Sequence, residues 1–216
     1  GITNFYETRY IYTKFASNKE KQLEPVYTYG KFKKFLKLEN VNHKQIQYER
    51  YLSAIRRHTD VSQDQYAQNI SRSNYGNVVY FKTSVSFDYL KSYLGDDIFD
   101  RCMQNFYTNW KFKHPDPDDL KREFETVSGK DLKWFFNDLM RSNKVIDYSI
   151  CSIKIKPDTA ILTLSNQGDI ASPLWLNTIH NGEIVNTISN EGFSGKTEIQ
   201  LPYVKGDVYK IDANRM

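Results

Sequence analysis

Apolar residues recur every three to four positions along most of the first two thirds of the chain and every second position after that. Ile2, Phe5, Tyr6 and Tyr10, with Glu7, Arg9 and Lys14 between them, predict a helix over 2–17. That pattern opens on an apolar residue with no capping residue before it, which predicts an element cut at its start. Residues 18–42 are polar and irregular and predict a loop with a short helix at 31–37. Ile46, Tyr48, Tyr51, Leu52 and Ile55 predict a helix over 42–57, with Asn42 as its cap. Residues 60–73 are polar and predict a loop with a turn of helix. A helix is then predicted from Asn77 through the stripe Val78, Phe81, Val85, Tyr89 and Leu94, ended by Gly95. The next helix is capped by Asp96 or Asp97 and carries Phe99, Cys102, Met103, Phe106 and Trp110 on one side.

Asp116 as cap, Pro117 at the first helical position and Asp119 at the third make a strong helix start. Its stripe is Leu120, Phe124 and Val127, closed by Gly129. Asp131 opens a last helix with Leu132, Phe135, Phe136 and Leu139 inward. Beyond Asn143 six short alternating runs predict strands, separated by turn signals that include Pro157-Asp158 and Asn181-Gly182. The fold class expected is α+β. It comprises a helical part over residues 1–143 and a small antiparallel β-sandwich over 144–216, with Trp175 in the sandwich core.

Composition narrows the function classes. The chain of 216 residues carries 30 basic and 26 acidic residues, a net charge of +4. Residues 144–216 hold seven Lys or Arg against eight Asp or Glu, so the basic surplus lies upstream, densest in KFKKFLK at 31–37. That surplus is mild for a nucleic-acid binder, and the run reads as a solvated face. No apolar run reaches the roughly 20 residues of a membrane helix, and no signal peptide is visible. Cys102 and Cys151 have no CxxC spacing and read as small buried apolar residues. The four histidines, His43, His58, His114 and His180, lie in no HExxH. His114 beside Asp116, Asp118 and Asp119 reads as an acid-rich helix start rather than a metal site. No complete catalytic site follows from spacing alone, and the compartment is not readable.

Four pieces in order carry a family resemblance: Tyr80-Phe81-Lys82-Thr83, then LKSYLGDDIFD, then NFYTNWKFKHPDPDDL, then SGKDLKWFF. Together with GITNFYETRY at the start, they resemble the zinc aminopeptidases of the gluzincin class, relatives of aminopeptidase N and leukotriene hydrolase, over about residues 1–141. The resemblance implies the helical C-terminal part of a thermolysin-like peptidase domain followed by a β-domain. It places Gly1 directly after the third zinc ligand, a glutamate. It implies that Tyr80 stabilises the oxyanion formed when water attacks a peptide carbonyl, and that Tyr75 lines the substrate pocket. A phenol hydroxyl suits that role because it donates a hydrogen bond at neutral pH.

On this resemblance the zinc ligands and the general base lie upstream of Gly1. Zinc then belongs to the parent protein, and these residues hold no cofactor. The partners implied are a peptide substrate and the missing N-terminal part of the same protein. The chain alone is expected to be inactive. The family usually has glycine where this chain has Thr83, which keeps open an aminopeptidase-like scaffold that binds peptides or proteins without catalysis. A carbohydrate-binding sandwich on an unrelated helical domain is a third reading.

Overall fold

The computed structural model describes residues 1–15 and 43–212. The predicted loop at 18–42, the short helix and basic run at 31–37 and the Asn42 cap lie outside the described residues. The fold is α+β, with helical elements up to Met140 and strands from Tyr148 onward. The described structure divides into two compact units, Gly1–Phe99 and Asp100–Met216. The elements change class near the predicted boundary, whereas the compact units divide earlier, inside a helix.

In the first unit α1 (Ile2–Lys14) and α2 (His43–Arg56) are followed by a 3₁₀ turn (Ala67–Asn69), a short helical turn α3 (Arg72–Asn74), a π-helical segment (Tyr75–Lys82) and α4 (Thr83–Leu94). The predicted stripe of α1 is corrected. Phe5 and Thr8 are its buried residues, while Tyr10 is 56% exposed. Phe5 packs against Phe87 at 6.0 Å and Phe99 at 5.4 Å between ring centroids. In α2 the buried residues are Gln47, Tyr51 and Ala54, not Ile46 or Tyr48. Gln47 is buried because it is paired: its Nε2 donates to Thr8 Oγ1 at 2.9 Å and lies 2.8 Å from His43 Nε2. A polar bridge thus fixes which faces of these helices turn inward.

α5 (Asp96–Trp110) follows Gly95, whose φ of +82° suits glycine. In the second unit α6 (Pro117–Ser128) starts with the predicted capping box. Asp116 accepts from the Asp118 and Asp119 N–H groups, and Asp119 accepts from the Asp116 N–H. Gly129 ends it in the left-handed conformation. Leu132, Phe135, Phe136 and Leu139 are buried as predicted, but the segment Trp134–Met140 is π-helical.

The strands are β1 (Tyr148–Lys156), β2 (Thr159–Asn166), β3 (Leu174–His180), β4 (Glu183–Asn190), β5 (Gly195–Pro202) and β6 (Val208–Ile211). They form two antiparallel sheets, ordered β1-β2-β5 and β4-β3-β6. Asn181 and Gly182 both have positive φ and close the predicted two-residue hairpin from His180 to Glu183. Ala160, Leu162, Leu164, Leu174, Leu176, Leu201 and Tyr209, drawn from both sheets, form one apolar cluster. Trp175 lies outside that cluster. It alternates with Leu174 and Leu176, so the pleat turns it to the opposite face of β3, where it is half-buried. Cys151 is exposed, not buried, because the β1–β2 register shifts between Ile150 and Ser152 and leaves it as the extra residue of a bulge. Cys102 is buried as expected. Its thiol is pushed up to about 11 by burial, and its Sγ lies 3.8 Å from Phe124 O.

Candidate functional site

The turn that carries Tyr75 and Tyr80 is built from its flanks inward. Ser71 caps α3 by accepting from the Asn74 N–H at 3.3 Å, and the Tyr75 N–H donates to Ser71 O at 2.8 Å. The Asn74 side-chain amide donates to the Thr59 carbonyl. The chain then enters the π-helical segment Tyr75–Lys82, in place of the α-helix predicted from Asn77. Five residues close one hydrogen-bonded turn of a π-helix, so side chains five apart become neighbours. In an α-helix they would stand about 140° apart around the axis. Tyr75 and Tyr80 are five apart. Their rings meet edge to face, 5.7 Å between centroids at 72°. Tyr80 is 42% exposed and Tyr75 half-buried.

The inward side of the segment is Val78 and Lys82, both without solvent exposure. This corrects the predicted stripe. Phe81 is half-buried and lies under the Arg50 guanidinium, 5.2 Å from its ring centroid. Residues Thr83, Ser84, Ser86, Phe87, Leu90 and Leu94 form the buried face of α4. Lys82 is among the largest fully buried side chains of the described residues. Its ammonium lies 5.8 Å from the Tyr51 ring centroid. Burial lowers its pKa to about 8, partly offset by the charge of Asp60. Burial also raises the Tyr51 phenol, with Asp60 adding to that shift. The buried Asp60 Oδ2 makes no hydrogen bond.

Two further contacts bear on the site. Gln63 Nε2 donates to Val78 O at 2.6 Å and to Thr83 Oγ1 at 2.9 Å. Gly1 lies against the same turn. A Cβ there would stand 2.6 Å from both Thr83 Cγ2 and Val79 O, so only glycine lets α1 come this close. The structure therefore brings Tyr75 and Tyr80 together and sets the start of α1 against Val79 and Thr83. Asp60 and Gln63 were not singled out from the sequence, and Lys82 entered only as part of the Tyr80-Phe81-Lys82-Thr83 match. Lys82 four residues after Val78 on a helical segment was a usable signal. Gln63 carried none, because its partners are 15 and 20 residues away.

Residues 2–139 match the peptidase family M1 domain. The chain belongs to peptidase family M1. Among solved structures this M1 chain is similar to Legionella pneumophila aminopeptidase A in complex with aspartic acid, at a TM-score of 0.50 and 16% identity. That match covers 65% of this chain and 17% of the Legionella chain, so the likeness is one of fold over a small part of a longer protein. A comparison with curated proteins found no match. Family M1 is zinc-dependent in general. Among the described residues, no group of three or more His, Cys, Asp or Glu comes together to hold a metal. Of the acids near His114, Asp116 and Asp119 form the α6 capping box, and Asp118 accepts from the Arg141 guanidinium at 2.7 Å. The described residues therefore do not fit a zinc site by themselves. No helix among them is long and apolar enough to cross a membrane.

Proposed function

We propose that this chain is the C-terminal part of an M1 aminopeptidase that removes N-terminal residues from peptides, with the zinc ligands and general base supplied by residues outside these 216. Residues 1–143 form the helical part of the peptidase domain and 144–216 a β-sandwich domain. The observation that carries this reading is the packing of Gly1 on Val79 and Thr83, on either side of Tyr80 in sequence. A residue joined to Gly1 has its Cα about 3.8 Å away. The glutamate that the resemblance sets before Gly1 would thus be one peptide from the turn that carries Tyr80.

Peptide hydrolysis develops an oxyanion on the attacked carbonyl. Tyr80, exposed on a packed turn, donates its hydroxyl proton in a hydrogen bond to that oxygen. Tyr75, edge-on to Tyr80, lines the pocket and limits how far the Tyr80 ring can swing. One such donor contributes about 3 kcal/mol, or roughly a hundredfold in rate. Tyr80→Phe in the full M1 protein should therefore lower kcat about a hundredfold with KM little changed. Unchanged turnover removes Tyr80 from the reaction. The 216-residue chain alone should neither bind zinc stoichiometrically nor cleave peptides, which metal analysis and a peptidase assay check.

A second reading, a non-catalytic peptide-binding or protein-binding scaffold, is favoured by Thr83. Its side chain fills the place where the family usually has glycine and packs on Gly1. The sequence upstream of Gly1 separates the two: an HExxH and a later glutamate support the enzyme, and their loss supports the scaffold.

A further inference from the structure

We propose that Gln63 is a positioning residue for Tyr80, acting with Thr83 at the point where the π-helical segment gives way to α4. The inference rests on the reading of Tyr80 given above. The ring pair of Tyr75 and Tyr80 exists only while the five-residue turn between them holds, and π-helical turns occur mostly as short insertions in α-helices. Something outside the helix must favour this turn over the α-helical alternative. At the changeover the Thr83 N–H bonds to Tyr80 O, three residues back. Val78 O, five residues back, accepts from the Gln63 side-chain amide at 2.6 Å. The same amide nitrogen donates to Thr83 Oγ1 at 2.9 Å. One amide therefore holds a carbonyl inside the π-helical turn and a side chain on the first residue of α4, with Tyr80 between them.

The grip depends on Thr83. Glycine at position 83 would have no hydroxyl for Gln63 to bond. It would also leave open the space that Thr83 fills against Gly1. Val78 is fully buried, so its carbonyl is held from a packed position rather than from a mobile surface. Removing the amide frees Val78 O to accept from the helix backbone. The segment then relaxes toward α-helical pairing, and the Tyr80 hydroxyl rotates away from its present direction. Lys82, buried with its ammonium 5.8 Å from the Tyr51 ring centroid, sets the segment against α2 but does not choose between the two pairings.

The test uses Gln63→Leu, which keeps bulk and removes the donor, Thr83→Val, which removes one of the two bonds, and Thr83→Ser, which keeps both. The first readout is the nuclear Overhauser contact between the Tyr75 and Tyr80 rings in the 216-residue chain, assigned with Tyr75→Phe and Tyr80→Phe. The contact should be lost in Gln63→Leu, weakened in Thr83→Val and retained in Thr83→Ser. The second readout is kinetic, in the full M1 protein. Gln63→Leu should lower kcat by about tenfold or more while KM moves less than about twofold, with Thr83→Ser at wild-type turnover.

A ring contact that persists in folded Gln63→Leu overturns the proposal whatever the activity. Should Gln63→Leu not fold, an unchanged contact in Thr83→Val overturns it equally. Loss of the ring contact together with full activity of Tyr80→Phe would instead sink the role of Tyr80 and leave the positioning by Gln63 standing.

Discussion

Replacing Lys82 with methionine isolates the effect of a buried ammonium on stability. Lys82 has no solvent exposure, and its pKa falls from 10.5 to about 8, chiefly through burial, with Asp60 pulling the other way. A lysine whose folded pKa lies below its unfolded value holds its proton less tightly when folded. Between pH 8 and 10.5 the unfolded chain therefore binds more protons at this residue, and its contribution to stability rises with pH. Below that window the folded state bears the full cost of the buried charge. At roughly 1.4 kcal/mol per unit, a fall from 10.5 to about 8 corresponds to about 3 kcal/mol. Methionine fills a similar volume and does not titrate. Any constant penalty, such as Asp60 left without its cation, shifts the variant by the same amount at every pH in the window.

The assay is urea unfolding followed by circular dichroism for both proteins at a series of pH values. The quantity to follow is the stability of wild type minus that of Lys82→Met. It should climb by about 3 kcal/mol in favour of wild type from pH 8 to 10.5. Groups away from Lys82 contribute alike to both proteins and cancel in the difference. Tyr51 touches Lys82 and cancels less well, so the lower half of the window is the cleaner measure. A difference that stays flat across the window refutes the reasoning, because it would mean that Lys82 holds its proton equally in both states.

Other outcomes follow from single contacts. Cys151, exposed on the bulge, should react with Ellman's reagent in the native chain, whereas Cys102, buried with its thiol raised to about 11, should react only after unfolding. Two native equivalents would contradict the burial of Cys102. Asp116→Ala removes both capping bonds of α6 and should cost about 1 kcal/mol in urea unfolding, with Asp116→Ser recovering most of it.

Much of the fold is legible in local chemistry. The α6 start at Asp116, Pro117 and Asp119, its end at Gly129 and the hairpin at Asn181-Gly182 depend on residues within a few positions of each other. The same holds for the six strands, whose alternation sets one face against a common core. Tyr75 and Tyr80 became candidates only through resemblance to a family, since neither residue's proposed role is visible in its spacing. The sequence could not reveal that they meet. Their contact requires a π-helical turn, and that turn is held by Gln63, 15 residues away from Val78. Buried polar residues defeated apolar patterning in the same way. Thr8 and Gln47 turn inward because they bond each other across 39 residues, and Lys82 because Tyr51 and Asp60 receive it.

What the sequence determined by itself, then, was where elements begin, end and change period. Capping groups, left-handed glycines and pleat alternation act over one or two turns of chain. The tertiary structure decided which face each helix buries, which side of β3 carries Trp175, that Cys151 is exposed, and that Gly1, Gln63 and Lys82 converge on the turn of Tyr80. The physical reason is that a buried polar group is stable only beside its partner, and those partners are distant in sequence.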